Sequence, residues 1–174
     1  MKKNILVIAL FTIAVLFSNE TTAQKFPGLD KSPADIAIKR ESRNAPPTVK
    51  VIYSRPQLKG RSLSKLAPQG KVWRLGANEA TEIIFYKDVT FGGKSVKAGT
   101  YSMFAIPGET EWTIIINKDV NVWGHFSYKE SQDVVRVTGK VTKGSKTVEA
   151  LAITFSKGDM HIGWGNTVVT VPVK

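Results

Sequence analysis

The chain contains no cysteine, so no disulfide holds the fold together and no lipid can be attached through a cysteine thiol. Histidine is almost as scarce, with only His125 and His161. A zinc site needs three or four convergent ligands, which two histidines and scattered carboxylates do not supply. We therefore predict no metal and no cofactor, and a domain that its hydrophobic core must stabilise.

Recognisable catalytic signatures are also missing. Ser54 and Ser102 do not lie in a Gly-x-Ser-x-Gly elbow. The glycines at positions 92, 93 and 99 lack the strand-to-helix context of a phosphate-binding loop. The sequence thus predicts no catalytic residue. An enzyme acting on a saccharide or another envelope substrate is the alternative.

The longest apolar run lies at the N-terminus. Two lysines precede residues 5–17, which are almost uninterruptedly apolar but fall short of the ~20 residues that a membrane-spanning helix needs. The small side chains of Thr21 and Ala23 suit signal peptidase. We predict that residues 1–23 are a signal peptide cut after Ala23. The mature chain is then periplasmic or secreted and has no transmembrane segment.

The net charge is +11 over the whole chain. A nucleic-acid-binding protein would concentrate its basic residues on one element with aromatic residues between them. Here they alternate singly with apolar residues, which is typical of solvated strand faces. The charge therefore argues against nucleic acid. It allows attraction to a small polar or anionic ligand, or to an acidic polysaccharide of the cell envelope.

Alternation with a period of two residues dominates the rest of the chain, and no run of ten or more residues has helical periodicity. Residues 24–31 are predicted to be a flexible leader, and residues 32–174 a single domain. The two glycines at 92 and 93 predict a β-hairpin, and residues 143–146 are predicted to link two further strands. We predict an all-β domain, a single antiparallel β-sandwich of about nine or ten strands. A partly closed β-barrel is the alternative.

One irregular stretch, residues 71–81, carries most of the polar chemistry. Together with nearby loops it supplies the candidate ligand-binding residues, which are Arg55, Arg61, Trp73, Arg74, Asn78 and Glu79. Guanidinium groups suit carboxylate, sulfate or phosphate. The competing interpretation, which we favour, is a buried ion pair between Arg74 and Glu79 that fixes the loop. In that case Arg55 and Arg61 lie nearer the solvent as ligand contacts.

Four tryptophans, at positions 73, 112, 123 and 164, also need an assignment. Exposed indole rings can serve as platforms for sugars, but a β-rich core normally buries such large side chains. We expect them in the core or at its rim. The predicted function is an exported binding or structural module of the cell envelope, with a polar or anionic ligand pocket around residues 73–79.

Several motifs of the mature chain occur together in one exported bacterial family. They are YSRP at 53–56, KGR at 59–61, KVWRxGANEAT at 71–81, AGTYSMFxIPG at 98–108, EWTI at 111–114, WG at 123–124 and DVVRV at 133–137. The chain resembles domain of unknown function 2911 over nearly all of its mature length. Gly165, where that family usually has an acid, and His125 depart from its pattern. The resemblance implies no activity.

Overall fold

The computed structural model describes residues 23–174, so the predicted signal peptide lies almost wholly outside the described residues. Nine strands form, namely β1 (Ala34–Arg40), β2 (Pro47–Ser54), β3 (Thr81–Phe85), β4 (Val89–Phe91), β5 (Lys94–Val96), β6 (Gly99–Ile106), β7 (Glu111–Asn117), β8 (Asp133–Ser156) and β9 (Asp159–Pro172). The helical elements within residues 23–174 are a single turn, α1 (Leu63–Leu66), and a 3₁₀ turn (Glu130–Gln132). In this part of the chain, no helix is long and apolar enough to cross a membrane.

Seven of the strands form one antiparallel sheet in the order β1-β2-β3-β6-β7-β8-β9, and β4 and β5 form the separate hairpin predicted from the paired glycines. The sheet is strongly curled into a half-barrel. The predicted all-β, antiparallel fold of about nine strands is therefore confirmed. Its curl corresponds to the alternative prediction, a partly closed barrel.

Strand β8 is longer than the sequence suggests. Residues 143–146, predicted to be a turn between two strands, lie within one continuous strand of 24 residues, and residues 160–164 and 168–173 likewise fall largely within the single strand β9. The ladder between β8 and β9 shifts register between Lys143 and Val148 and again between Val148 and Ala152. Such bulges bend a strand and increase its twist. A bend without a chain reversal therefore replaces the predicted turn.

The bend brings the far half of β8 back to the chain segment that includes and follows β2. The Ile153 amide donates to the Tyr53 hydroxyl oxygen at 2.9 Å. The Leu151 amide donates to the Pro56 carbonyl at 3.0 Å. These bonds close one side of the half-barrel. They fix the position of the loop that follows Pro56.

The concave face of the sheet encloses the core. Its largest fully buried members are Phe85, Phe91, Met103, Trp112, Ile114 and Trp164. Strands β6 and β7 lie at the centre of the sheet, and their buried side chains include neighbours in sequence, so both faces of these strands are covered. Burying each large apolar side chain contributes roughly 1.5–3 kcal/mol. This core makes the framework rigid enough to hold the irregular loops at its rim.

Two long loops lie at this rim. The inner loop, residues 71–80, crosses the open side of the curl and places Trp73 and Leu75 in the core. The outer loop, residues 118–132, follows β7 and covers part of the convex face, where the Tyr128 ring contacts the Phe104 ring at 5.1 Å. The two loops meet at one corner of the molecule.

Candidate functional site

Backbone hydrogen bonds join the inner and outer loops. The Ala80 amide donates to the Val122 carbonyl at 2.9 Å, and the Gly124 amide donates to the Asn78 carbonyl at 3.0 Å. These bonds make a short two-stranded contact between otherwise irregular segments, with Glu79 facing Trp123 across it. The side chains on either side of the junction are therefore held in place by backbone contacts.

The inner loop follows a path that most residues avoid. Leu75 and Asn78 both have left-handed backbones, with φ of 51° and 60°. Asparagine tolerates this conformation, but for leucine it costs of order 1 kcal/mol. Burial of the Leu75 side chain and a 2.8 Å hydrogen bond from the Thr81 hydroxyl to the Leu75 carbonyl hold it there. The loop is thus fixed by the core beneath it.

Trp73 anchors the same loop. Its ring stacks on Trp164 at 5.3 Å with an interplanar angle of 13° and meets Trp112 edge-on at 6.0 Å. Its backbone pairs with Ala105 of β6 through two hydrogen bonds of 2.8 and 2.9 Å. The expectation that tryptophans pack in the core or at its rim holds for these three rings. Trp123 differs, because 61% of it is exposed.

Beside this aromatic stack lies a cleft of about 340 Å³. Its chemically important lining consists of the basic residues Arg61, Lys71, Arg74 and His125 and the rings of Trp73 and Trp164. No carboxylate is among the residues that line it. In the described part of the chain, no carboxylate lies within 4.0 Å of the charged nitrogens of Arg61, Lys71 or Arg74. The cleft is therefore cationic.

Arg74 lies at the junction of the two loops. Its Nη1 donates to the Asn78 carbonyl at 3.1 Å, and its guanidinium carbon lies 5.6 Å from the centre of the Trp123 ring. Its Nε is buried and has no hydrogen-bond partner. A buried charged donor left unpaired is costly. This nitrogen is one of two such buried side-chain atoms within residues 23–174.

The predicted ion pair between Arg74 and Glu79 is wrong. Glu79 is exposed, and it lines a different cavity of about 220 Å³ together with Glu82 and Ser102. The physical reason is the junction itself. The left-handed backbone at Asn78 and the pairing of Glu79 with Trp123 direct the glutamate away from the cleft.

His125 supplies the second unpaired atom. Its Nδ1 is buried without a partner, and its ring stacks on Phe126 at 4.9 Å. Burial lowers the pKa of His125 below its ordinary value of 6.5, and the nearby charge of Arg74 lowers it further. The imidazole is therefore neutral at pH 7. It can donate or accept one hydrogen bond inside the cleft, depending on its tautomer.

The other candidates are placed differently. Arg55 is held outside the cleft, where Nη1 pairs with Asp35 Oδ2 at 3.0 Å and Nε donates to the Leu151 carbonyl at 2.9 Å. Asn78 contributes its carbonyl to Arg74, while its side-chain amide donates to Asp30 at 3.2 Å. Of the six predicted residues, Arg61, Trp73 and Arg74 line the cleft together. Arg55, Asn78 and Glu79 do not line it.

Arg61 is held by backbone carbonyls, and within the described residues it pairs with no carboxylate. Its Nε and Nη2 donate to the carbonyls of Leu58 and Gln57 at 2.9 and 2.7 Å. Lys71 and His125 are lining residues that the sequence did not single out as ligand contacts. The signal that could have found His125 is its position next to Trp123-Gly124, the motif that pairs with the inner loop.

A partly buried arginine network does exist, but at the start of β8, where it ties the outer loop to the sheet. Arg136 Nε donates to Asp133 Oδ2 at 2.7 Å, and Arg136 Nη2 donates to the Tyr128 hydroxyl at 2.7 Å. The Tyr128 hydroxyl donates to Asp133 at 2.7 Å, and Asn117 donates to the other carboxylate oxygen at 2.8 Å. Burial, then the bond to Asp133, raises the pKa of Tyr128 to about 12. We call these four residues the latch.

Residues 23–174 hold no group of three or more His, Cys, Asp or Glu side chains that could bind a metal ion. Comparison with curated proteins and with solved structures finds no match to the chain. A family model described as "Protein of unknown function (DUF2911)" matches residues 32–173. This match covers the whole folded domain, including both loops and the latch. The chain therefore belongs to the DUF2911 family, as its motifs indicated.

Proposed function

We propose that the domain binds a small anionic ligand, bearing a carboxylate, sulfate or phosphate group, in the cleft between the two loops. The observation that carries the proposal is a cleft without acids whose lining includes two residues, Arg74 and His125, that each have a buried, unpartnered nitrogen. Native proteins rarely leave such groups unsatisfied unless an ion, a water or a function accounts for them. An anion in the cleft would bring acceptor oxygens to both side chains.

The charge of the cleft supports the same proposal. Arg61, Lys71 and Arg74 are gathered without a counter-carboxylate, and like charges held together repel one another in the empty protein. An anion would relieve that repulsion. Guanidinium forks match planar carboxylates and phosphates. Asp30 Oδ1 accepts hydrogen bonds from the Ser32 amide and the Asn78 side chain, and within the described residues Asp30 forms no ion pair with Arg61, Lys71 or Arg74.

A second basic cavity, of about 410 Å³, lies between β1 and the turn after β8 and includes Lys39, Arg40, Arg43 and Lys157. It contains none of the buried, unpartnered side-chain atoms of the described chain. Its arginine and lysine side chains belong to strand ends and turns, where solvated charge is usual. It therefore serves as the matched control for the proposed site.

Melting temperature in increasing sulfate or phosphate tests the proposal, with sodium chloride at equal ionic strength as the reference. A ligand that binds only the folded state raises the melting temperature. We expect sulfate to stabilise the wild type and Arg43→Gln but not Arg74→Gln. Loss of the effect in Arg43→Gln but not in Arg74→Gln would assign the anion to the other cavity and overturn the proposal.

We further propose that this binding takes place outside the cytoplasm, in the periplasm or after secretion, since the sequence predicts export. The mature protein should then begin at Gln24. Intact-mass measurement of the protein from envelope fractions tests this. A form that retains Met1 there would contradict it.

A further inference from the structure

The outer loop presents an aromatic surface next to the cationic cleft. Trp123 is 61% exposed and Phe126 is 73% exposed, whereas the other three tryptophans are buried. The two rings are stacked at 5.5 Å with an interplanar angle of 18°. We call this pair the platform. Exposing two large stacked rings costs hydrophobic free energy, so a binding role is the natural explanation.

The platform is held in one arrangement. Gly124, between its two rings, has φ of +70°, and a side chain there would meet the Phe126 ring at 2.9 Å and Arg74 Nη1 at 3.1 Å. His125 stacks on Phe126 from within the same turn at 4.9 Å. The turn therefore needs a residue without a side chain at position 124. This preorganisation reduces the entropy that a ligand would have to remove on binding.

Two residues connect the platform to the cleft. The guanidinium carbon of Arg74 lies 5.6 Å from the centre of the Trp123 ring, and His125 contacts Phe126 on one side while lining the cleft on the other. A ligand that covers the platform can thus place an anionic group against Arg74. Platform and cleft form one continuous surface.

From this arrangement we propose that the ligand is an acidic saccharide: a sugar ring stacks on the exposed face of Trp123, which Phe126 supports, and its carboxylate or sulfate binds Arg74. The inference rests on the proposed anion site and names its ligand class. Sugar rings present weakly positive C–H groups on their faces, which match the negative face of an aromatic ring. The hydroxyl groups at the edge of the sugar remain in water. The exposed face of Trp123 beside the charge of Arg74 matches a sugar ring that carries an acidic group.

Other partners fit less well. An apolar peptide side chain prefers a concave pocket that encloses it, whereas these rings project outward. A membrane surface needs a larger apolar face than two rings and the half-exposed Val120 provide. The cleft of about 340 Å³ is at the small end of ligand pockets, which suits one acidic unit with neighbouring units on the platform.

Isothermal titration calorimetry with tetragalacturonate, cellotetraose and sulfate separates the two proposals. We expect the wild type to bind tetragalacturonate more tightly than sulfate and to show no binding of cellotetraose. Trp123→Ala should weaken the affinity for tetragalacturonate about tenfold and leave the affinity for sulfate unchanged, because it removes only the stacking surface. Arg74→Gln should abolish the binding of both ligands.

Tyr86 provides the matched control, since it is also exposed and has a cation, Lys50, 5.6 Å from its ring centre. Tyr86→Ala should change neither affinity. If Trp123→Ala binds tetragalacturonate as the wild type does, the saccharide inference fails while the anion site stands. If the wild type binds neither anion, both proposals fail. Equal binding of cellotetraose, or binding only to phosphatidylglycerol vesicles, would overturn the acidic saccharide as the ligand.

Discussion

The inner loop carries Arg74, the start of β8 beside the outer loop carries Arg136, and the two arginines have opposite surroundings. In the latch, Arg136 pairs with Asp133 at 2.7 Å and with Glu130 at 3.1 Å, and the tyrosine hydroxyl takes a further bond. At the junction, Arg74 has one carbonyl partner and a buried Nε with none. The difference indicates that an arginine surrounded by acids stabilises the fold, whereas Arg74, which has no acid partner, is the one that we propose binds a ligand.

The latch should show the largest loss of stability. Asp133, whose side chain is 10% exposed, accepts bonds from Tyr128, Arg136 and Asn117, so Asp133→Ala leaves three donors unpaired. We expect a cost of about 3 kcal/mol, allowing for the partial exposure of Arg136. The melting temperature should fall by roughly 6–12 °C. Glu41→Ala, which breaks the exposed pair with Lys87, should not change the melting temperature.

Arg74→Gln should behave in the opposite way. The substitution removes one hydrogen bond, but it also removes a buried unpaired donor and a repelling charge, so stability should change by less than about 1 kcal/mol in either direction. Denaturant unfolding of Arg74→Gln and Arg136→Gln in parallel measures the contrast. If Arg74→Gln were the more destabilising of the two, Arg74 would be the structural arginine and the comparison would be reversed.

The pH dependence sharpens the comparison through His125, whose pKa is lowered in the folded protein by burial and then by Arg74. Because the unfolded chain takes up the proton first, this contribution to stability is complete above pH 6.5 and is lost as the pH falls through the folded-state pKa. His125→Gln should remove that part of the pH dependence. The cations facing the imidazole in the cleft are Arg61, Lys71 and Arg74.

Sulfate should counteract the lowering of the His125 pKa. An anion beside the ring favours the imidazolium, so sulfate should raise the pKa of His125 and bind more tightly as the pH falls. NMR titration can follow it directly, since the chain has only two histidines. His161 bonds to Thr170 on β9, and its resonances should not respond to sulfate. A His125 titration that sulfate leaves unaltered would place the anion elsewhere.

The smallest effect is expected between Arg74 and Glu79. Glu79 is exposed and lies against the other cavity, so the double-mutant coupling of Arg74→Ala with Glu79→Ala should be close to zero. Thermal unfolding of the two single variants and the double variant measures it. A coupling of more than about 1 kcal/mol would restore the ion pair that the sequence suggested.

Local patterns predicted the fold well because the alternation that marks a strand is visible within a few residues. Alternation with a period of two residues is visible in β2 and β3, and the paired glycines predicted the β4-β5 hairpin. The course of β8 was not predictable in the same way. Gly144 and its polar neighbours have the composition of a turn, and only the pairing with β9 keeps them extended.

The site was predicted only in part, because composition marks an unusual loop but does not give its long-range contacts. The inner loop stood out by its composition, and two of its candidates, Trp73 and Arg74, do line one cleft together with Arg61. The partner of Arg74 could not be predicted, because it depends on the left-handed backbone at Asn78 and on contact with the outer loop, 45 residues away between Asn78 and Trp123. The sequence predicted an arginine–carboxylate pair that fixes a loop, but it assigned the pair to Arg74, whereas the structure forms it at Arg136.

A crystal structure of the mature protein grown with selenate, phased on the anomalous signal of selenium in the anion, tests the central comparison most directly. We predict an anomalous peak for a selenate whose oxygens lie within hydrogen-bond distance of Arg74 and His125, and none at Arg136. A peak confined to the cavity of Arg40 and Arg43, or no peak at Arg74 at saturating selenate, would contradict the assignment of the two arginines.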